Sequence, residues 1–422
     1  MKTFIFKSYE FDKNDSLAKF TYGFDDGRIF NETIGFEPTD GYDAKVLDRA
    51  LFLAFILIGI SYYKTFPSPL VELDMPIDHW QADFFNKVYQ EGLGQFAFEN
   101  NLSRTDLAHF KATSQIINET NEYKGVGVIA LQSGGKDSLL TASLLTNKGT
   151  DFAAWYVSSG SHHPVVLDEI GSKLIISQRL IDYDGLQNAL KDGAKNGHVP
   201  ITYILQSLSI IQAILLGKNT ILTSVAHEGE EPHAHIDDLA VTHQWSKTWA
   251  AEMDFATYVS KYISPDLKIG SPLRCYSELR VAELFIKNSW TKYGHQFSSC
   301  NIANYKQGSD NSELRWCGDC PKCANSYLLF APFLPAAELK SIFGGQDLFV
   351  KPSLEQTFKG LLGIDGVIKP FECVGEIEEL RLAYQLSQIN GDYNSLPFDV
   401  PQSSFDYMKL YPAQDWAVKM LQ

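Results

Sequence analysis

The chain has 422 residues, 45% of them hydrophobic and 13% aromatic, enough apolar surface to build a core and to exclude a disordered chain. Acidic residues outnumber basic ones 51 to 36, and the resulting charge of −15 disfavours broad electrostatic capture of duplex DNA or RNA, so no nucleic-acid partner is expected. A small anionic substrate stays compatible, because a few local donors in a pocket outweigh a distant negative surface.

Residues 1 to about 36 alternate apolar and polar side chains and predict short antiparallel strands, with "DDG" at 25–27 as a hairpin turn. The charged start "MKTFIFKSYEFDKNDS" lacks the apolar run of a secretory signal. The most apolar stretch, Ala50 to Tyr63, spans 14 residues between Arg49 and Lys64. That is short of the about 20 that a membrane span needs, and it predicts a buried helix over about 43–64. A second helix is expected from Asp78, an N-cap after Pro76, to about Phe98. From about 124 to 330 apolar runs alternate with helical stretches. "GVGVIAL" (125–131), "FAAWYV" (152–157) and "TILTSVA" (220–226) read as buried parallel strands, and "LLTASLLT" and "YILQSLSIIQAILLG" as the helices between them. The expected fold is α/β, a doubly wound, mostly parallel sheet at 116–335. An N-terminal α+β domain at 1–115 precedes it, and a small, mostly helical region at 336–422 follows.

The strand ending at Leu131 runs through Gln132 into "SGGKDS" and then into a helix. Strand, glycine loop, helix is the geometry of an anion site, because Gly134 and Gly135 let backbone amides converge while the helix N-terminus adds partial positive charge. Asp137 after Lys136 excludes a Walker A loop. The string resembles the PP-loop "SGGxDS" of the N-type ATP pyrophosphatases, which split ATP between its α and β phosphates. That resemblance implies ATP held by Ser133, Gly134, Gly135, Lys136, Asp137 and Ser138, with Asp137 on magnesium.

Four of the six cysteines lie close together: Cys300, then Cys317, Cys320 and Cys323 in "CGDCPKC". This spacing predicts a closed tetrahedral metal site, a structural zinc rather than a catalytic one. An iron–sulfur cluster or a redox C-x-x-C pair would use the same residues. Thiols used as ligands rather than as a disulfide framework point to a reducing, cytoplasmic location. A PP-loop with a downstream four-cysteine knot also occurs in the much shorter queuosine-pathway nitrile synthases.

After the strand at 220–226 comes "HEGEEPHAHIDDLAVTHQWSK", with His227, Glu228, Glu230, Glu231, His233, His235, Asp237, Asp238, His243 and Lys247. Acids and bases crowd the C-terminal end of a strand, where ligands of open α/β sheets bind. Single residues here could equally be solvated loop polarity, and His233 with His235 and nearby carboxylates could hold a second metal.

"FTYGFDDG", "GISYYK", "QEGLGQFAFENNL", "SGGKDS", "THQWSK", "SSCN", "RWCGDCPKC" and "KPFECVG" together resemble the MurL family, the ATP-dependent epimerases of bacterial wall synthesis, over residues 4 to about 385. The resemblance implies an isomerase of peptidoglycan precursor synthesis that inverts the terminal L-Glu of a UDP-N-acetylmuramoyl-L-Ala-L-Glu substrate to D-Glu. Adenylation of its carboxylate would release pyrophosphate, and hydrolysis would release AMP. The family's "NERSA"-like stretch is replaced here by "SVAHEGEEPH", so that loop's roles are not carried over. For the acid and base, His227, Glu228, His243 and Lys247 are the candidates, followed by Cys373 and Glu372 of "KPFECVG"; a buried structural role for Cys373 is the competing reading. The alternatives are another adenylating PP-loop enzyme, such as an amide ligase or a nucleoside- or nitrile-forming synthase, and a nucleotide sensor without catalysis.

Overall fold

The computed structural model describes residues 2–39, 41–115, 122–160, 162–236, 239–305, 312–389 and 392–421. Its strands are β1 (Phe4–Asp12), β2 (Leu17–Phe24), β3 (Ile29–Gly35), β4 (Val71–Leu73), β5 (Val128–Leu131), β6 (Phe152–Ser158), β7 (Lys173–Leu180), β8 (Thr220–Leu222), β9 (Ala234–Ile236), β10 (Leu239–Val241) and β11 (Lys268–Gly270). Nine of them form one sheet in the order β11-β8-β5-β6-β7-β3-β2-β1-β4. From β11 to β7 every pairing is parallel. At β7 the direction reverses: Thr33 faces Leu180 and Gly35 faces Gln178 in an antiparallel seam. Beyond it the β1–β2–β3 meander is antiparallel, and β4 returns parallel to β1.

Alternation along the strands sends side chains to two cores. Ile129, Trp155, Ile175, Ile221 and Ile269 face one side, where helices Ala44–Tyr63 and Ile201–Leu215 pack with residues as early as Phe4. Val128, Ala130, Phe152, Ala154 and Leu222 face the other, against helices Lys136–Lys148, Glu278–Asn288 and Pro321–Phe330 and the helical C-terminal region as far as Leu396. Helices on both faces agree with a mixed α/β fold. The antiparallel strands near the N-terminus extend the same sheet and share the first core with the central segment.

Local chemistry sets the ends of these elements. Asp43 caps Ala44–Tyr63 by accepting from the Lys45 and Val46 amides, and Gly149, left-handed at φ 73°, stops Lys136–Lys148. The helix expected from Asp78 to Phe98 is two, His79–Gln90 and Gly94–Glu99. Gly92 lies in the break, where an added Cβ would sit 2.3 Å from the Val88 carbonyl oxygen. The strand at 220–226 is three residues long, because the chain past Leu222 leaves the ladder to line a cleft. No described helix is long and apolar enough to cross a membrane.

Candidate active site

The cleft lies at the C-terminal ends of β5 and β8, as expected for a parallel sheet. It is about 310 Å³ and is lined by the Ser133–Ser138 loop, the segment after β8 and the start of helix Pro321–Phe330. Gly134 holds φ +77°, where a side chain is strained, and an added Cβ would also come within 2.5 Å of Leu314 Cδ1 and require that side chain to move. Inside the turn the Ser133 amide donates to Ser138 Oγ (3.2 Å) and the Gly135 amide to Ser133 Oγ (3.3 Å). Lys136 Nζ donates to Asp137 Oδ1 (2.7 Å) and to Glu278 Oε2 (2.6 Å).

Glu278 was not legible as a site residue, since an acid in the first turn of a helix is ordinary. Burial raises its carboxyl, with Asp137 and Glu228 adding to the rise and Lys136 opposing it. Lys136 is itself held charged against burial by Asp137 and Glu278. One ammonium thus faces the Asp137, Glu228 and Glu278 carboxylates, and that surplus of negative charge keeps Glu278 raised.

The six acid–base candidates converge beside this loop. Glu228, Lys247 and Cys373 line the main cleft, and Glu228, Cys373, His227, His243 and Glu372 line a narrow recess opening from it. Lys247 Nζ lies 3.0 Å from Glu228 Oε2 and 3.7 Å from Cys373 Sγ. Burial works against the Lys247 charge, but the Cys373 sulfur and the Glu228 carboxylate hold its ammonium well above the usual range. His227 Nε2 lies 3.6 Å from Glu376, and its ring stacks on Tyr411. Glu372 accepts from Asn301 Nδ2 (2.9 Å).

The state of His243 follows from a relay. Gln95 Nε2 donates to Glu99 Oε1 (2.7 Å), which accepts only, so Gln95 turns its Oε1 to His243 Nδ1 at 2.7 Å. Nδ1 therefore carries the proton and Nε2 the lone pair. Burial pushes the imidazole down to about 4, with the Glu372 carboxylate pulling the other way, so it is neutral at pH 7.

Other members of the polar segment are spent on structure. Glu230 accepts from the Trp249 amide (2.6 Å), and Glu231 pairs with Lys369 and accepts from the Ile377 amide (3.1 Å). Asp237 and Asp238 lie outside the described residues. Among the described residues the metal-ligating atoms that converge within 4.8 Å are those of Cys300, Cys317, Cys320 and Cys323, and His233 and His235 are not among them.

The sulfur separations in that cluster are 3.7 Å for Cys300–Cys320 and Cys317–Cys323 and 3.5 Å for Cys320–Cys323. Four thiolates at about 2.3 Å from one ion stand about 3.8 Å apart at the tetrahedral angle. The spacing fits a single ion; the ligands of an iron–sulfur cluster hold different irons and spread wider. The four cysteines could thus hold a structural metal such as zinc.

A family profile described as the MurL N-terminal domain matches residues 1–271, and one described as the MurL C-terminal domain matches residues 296–398. The chain belongs to the MurL family. Three curated relatives of this MurL chain, each named UDP-N-acetyl-alpha-D-muramoyl-L-alanyl-L-glutamate epimerase, align over most of both partners. The one from Xanthomonas oryzae is 32% identical over 91% of this chain and 85% of its own length. Those from Salinispora tropica and Micromonospora sp. are each 31% identical, over 92% and 94% of this chain and 85% and 89% of their own lengths. This MurL protein is therefore an enzyme, an isomerase. Two solved structures of diaminopropionate ammonia lyase from Escherichia coli align at TM-scores of 0.13 and 0.14 with 9% and 11% identity, over 86% and 85% of this chain and 97% and 96% of theirs.

Proposed function

We propose that this MurL protein inverts the terminal L-glutamate of UDP-N-acetylmuramoyl-L-alanyl-L-glutamate in the cytoplasm, through an ATP-derived acyl-adenylate bound at a PP-loop. The observation that carries the reading is that Glu228, Lys247 and Cys373 line the cleft of the Ser133–Ser138 loop, while His243 and Glu372 line the recess that shares Glu228 and Cys373 with it. An α-proton beside a free carboxylate is very hard to remove, since the product is a dianion. Beside an acyl-adenylate the same proton leaves a singly charged enolate, which is a physical reason for an epimerase to spend ATP.

In this reading the loop amides and Lys136 would hold the phosphates, and Asp137 would hold a magnesium ion, whose positive charge would offset the negative charge of the pyrophosphate. His243 Nε2 takes the α-proton, and Glu372 faces the imidazolium that forms. The Cys373 thiol returns a proton to the opposite face, and the Lys247 ammonium meets the thiolate left behind. Lys247 and Cys373, 3.7 Å apart, are too close to flank a carbon from two sides, so they serve one face together. Water then cleaves the adenylate to AMP and the D-glutamyl carboxylate. The four cysteines would fill the shell of a zinc ion, which would then serve as a structural metal.

The test is incubation with the UDP-linked substrate, ATP and magnesium, followed by AMP quantitation and chiral analysis of the glutamate. The wild-type enzyme should yield AMP and D-glutamate, and Asp137→Ala should lose both. Cys373→Ala should keep ATP–pyrophosphate exchange but lose inversion by about a hundredfold or more. AMP without inversion by the wild type would instead indicate an adenylating enzyme with a different second step.

A further inference from the structure

The cleft also holds polar groups that this mechanism does not use. Gln132, just past β5, is 6% exposed, and neither Nε2 nor Oε1 of its side chain has a partner among the described residues. Gln206, on helix Ile201–Leu215, is 4% exposed and leaves Oε1 unpartnered; Thr223, just past β8, is 3% exposed and leaves Oγ1 unpartnered. All three line the cleft that holds the Ser133–Ser138 loop, beside the apolar Leu131, Ile201 and Leu205. A buried polar group with no partner destabilises the fold, and native proteins leave few of them. Three from three separate elements, on one cleft, make a hydrogen-bonding surface held ready for a ligand.

The chemistry of that ligand is constrained. All three side chains are neutral, so the surface does not select a phosphate or carboxylate, which the Lys136 side of the cleft already attracts. An amide and a hydroxyl match a neutral group with both a donor and an acceptor. Two such groups would enter this enzyme, the purine edge of ATP and the peptide linkage of the dipeptidyl substrate. A purine edge sets donor and acceptor side by side, and one glutamine such as Gln132 would satisfy it while leaving Gln206 Oε1 and Thr223 Oγ1 still without partners. A trans peptide points its C=O and N–H in opposite directions and needs partners from separate elements. It is also one bond from the reacting α-carbon, and Lys247 and Cys373 line this same cleft.

We propose that Gln132, Gln206 and Thr223 form a subsite that binds the peptide group joining the reacting glutamate to the rest of the substrate. The proposal rests on the epimerase reading and adds residues that fix the substrate's register.

The experiment uses the full chain with Gln132→Leu and, separately, Gln206→Met. Three quantities are measured for each: Tm without ligand, affinity for a non-hydrolysable ATP analogue, and KM and direct binding for the UDP-linked dipeptide and for a depsipeptide whose linking N–H is an ester oxygen. The expected results are an unchanged or higher Tm for Gln132→Leu, because an unpaired amide is removed, and an unchanged nucleotide affinity. Affinity for the dipeptide should fall about tenfold in each variant. The wild type should favour dipeptide over depsipeptide about tenfold, and that preference should collapse in at least one variant. A lower Tm with unchanged dipeptide affinity, a parallel fall in nucleotide affinity, or a preference that survives both variants would each overturn the subsite. A wild type that turns over the dipeptide while both variants match it removes the subsite alone. A wild type that releases no AMP removes the epimerase reading, and direct binding of the two ligands then still decides whether a peptide group is recognised.

Discussion

Three histidines at or near the recess, His243 buried and His198 and His233 partly buried, are neutral at working pH, and the structure gives each a cause. Burial pushes His198 down to about 3, with His243 and Lys64 adding to it; burial and Lys369 push His233 to about 3, and burial takes His243 to about 4. In the unfolded chain each titrates near 6.5, so between about pH 4 and 6 the unfolded state holds protons that the folded state refuses. The stability these residues contribute is present above pH 6.5 and is lost as pH falls toward 3 to 4. Glu379, raised to about 7 by burial, acts in the opposite sense and loses its contribution as pH rises through 7. A single-site comparison cancels that term. His198→Gln is expected to flatten the slope of unfolding free energy against pH between 4 and 6 by about 1.4 kcal/mol per pH unit, measured by urea unfolding across that range; an unchanged slope would mean that His198 is protonated in the folded state. At this scale much was legible. Residues with no apolar period at the end of a strand pointed to His227, Glu228, His243 and Lys247, and "KPFECVG" to Cys373. Glu278 and the unpartnered Gln132 were not, because a carboxylate on a lysine and an amide without a partner are properties of surroundings that no local string encodes.

Among the elements, helix Pro321–Phe330 joins two functions. It starts between Cys320 and Cys323, and its first turns place Lys322, Asn325 and Ser326 on the cleft, where Asn325 Oδ1 accepts from the Gly375 amide (2.9 Å) beside Cys373. The cysteine cluster therefore sets where one wall of the cleft stands. One tightly bound zinc per chain is expected by elemental analysis. Its removal by chelator, or Cys320→Ser, should lower Tm and cut AMP release at least about tenfold, with recovery on adding zinc to the chelated protein. Full activity in metal-free protein would break the link between the cluster and the cleft. The cysteine spacing announced the cluster in advance, but not that its helix faces the loop of Ser133–Ser138, since their approach depends on how Glu278–Asn288 and Pro321–Phe330 stack on the sheet. Strand β7 escaped notice for a related reason. "KLIISQRL" mixes apolar and polar residues because one of its faces is largely exposed, unlike the almost fully buried β6 beside it, and its edge partner β3 lies far away in the chain.

In the whole molecule, the β3–β7 seam joins the antiparallel strands of the N-terminal segment to the parallel strands in one sheet. Arg179 Nε lies 2.6 Å from Glu32 Oε1, with side chains 12% and 0% exposed, and Tyr62 donates to the other carboxylate oxygen at 2.7 Å. Removing one member of such a buried pair strands the other. Glu32→Ala is expected to cost about 3–5 kcal/mol, read by chemical denaturation, with tryptophan fluorescence and far-UV circular dichroism falling together as one transition. Two separated transitions would mean that the antiparallel strands form an independent unit. The expected division near residue 115 follows composition and motif, which carry no trace of a pairing between distant strands. That distance also has a consequence on the ribosome. Glu32 precedes Arg179 by 147 residues. At a synthesis rate of about 5–20 residues per second, β3 emerges roughly 7–30 s before the strand that covers its edge. For that interval one open edge of β3 and the apolar helix Ala44–Tyr63 stand ready to pair with the wrong neighbour, a hazard that begins before the Ser133–Ser138 loop has been made.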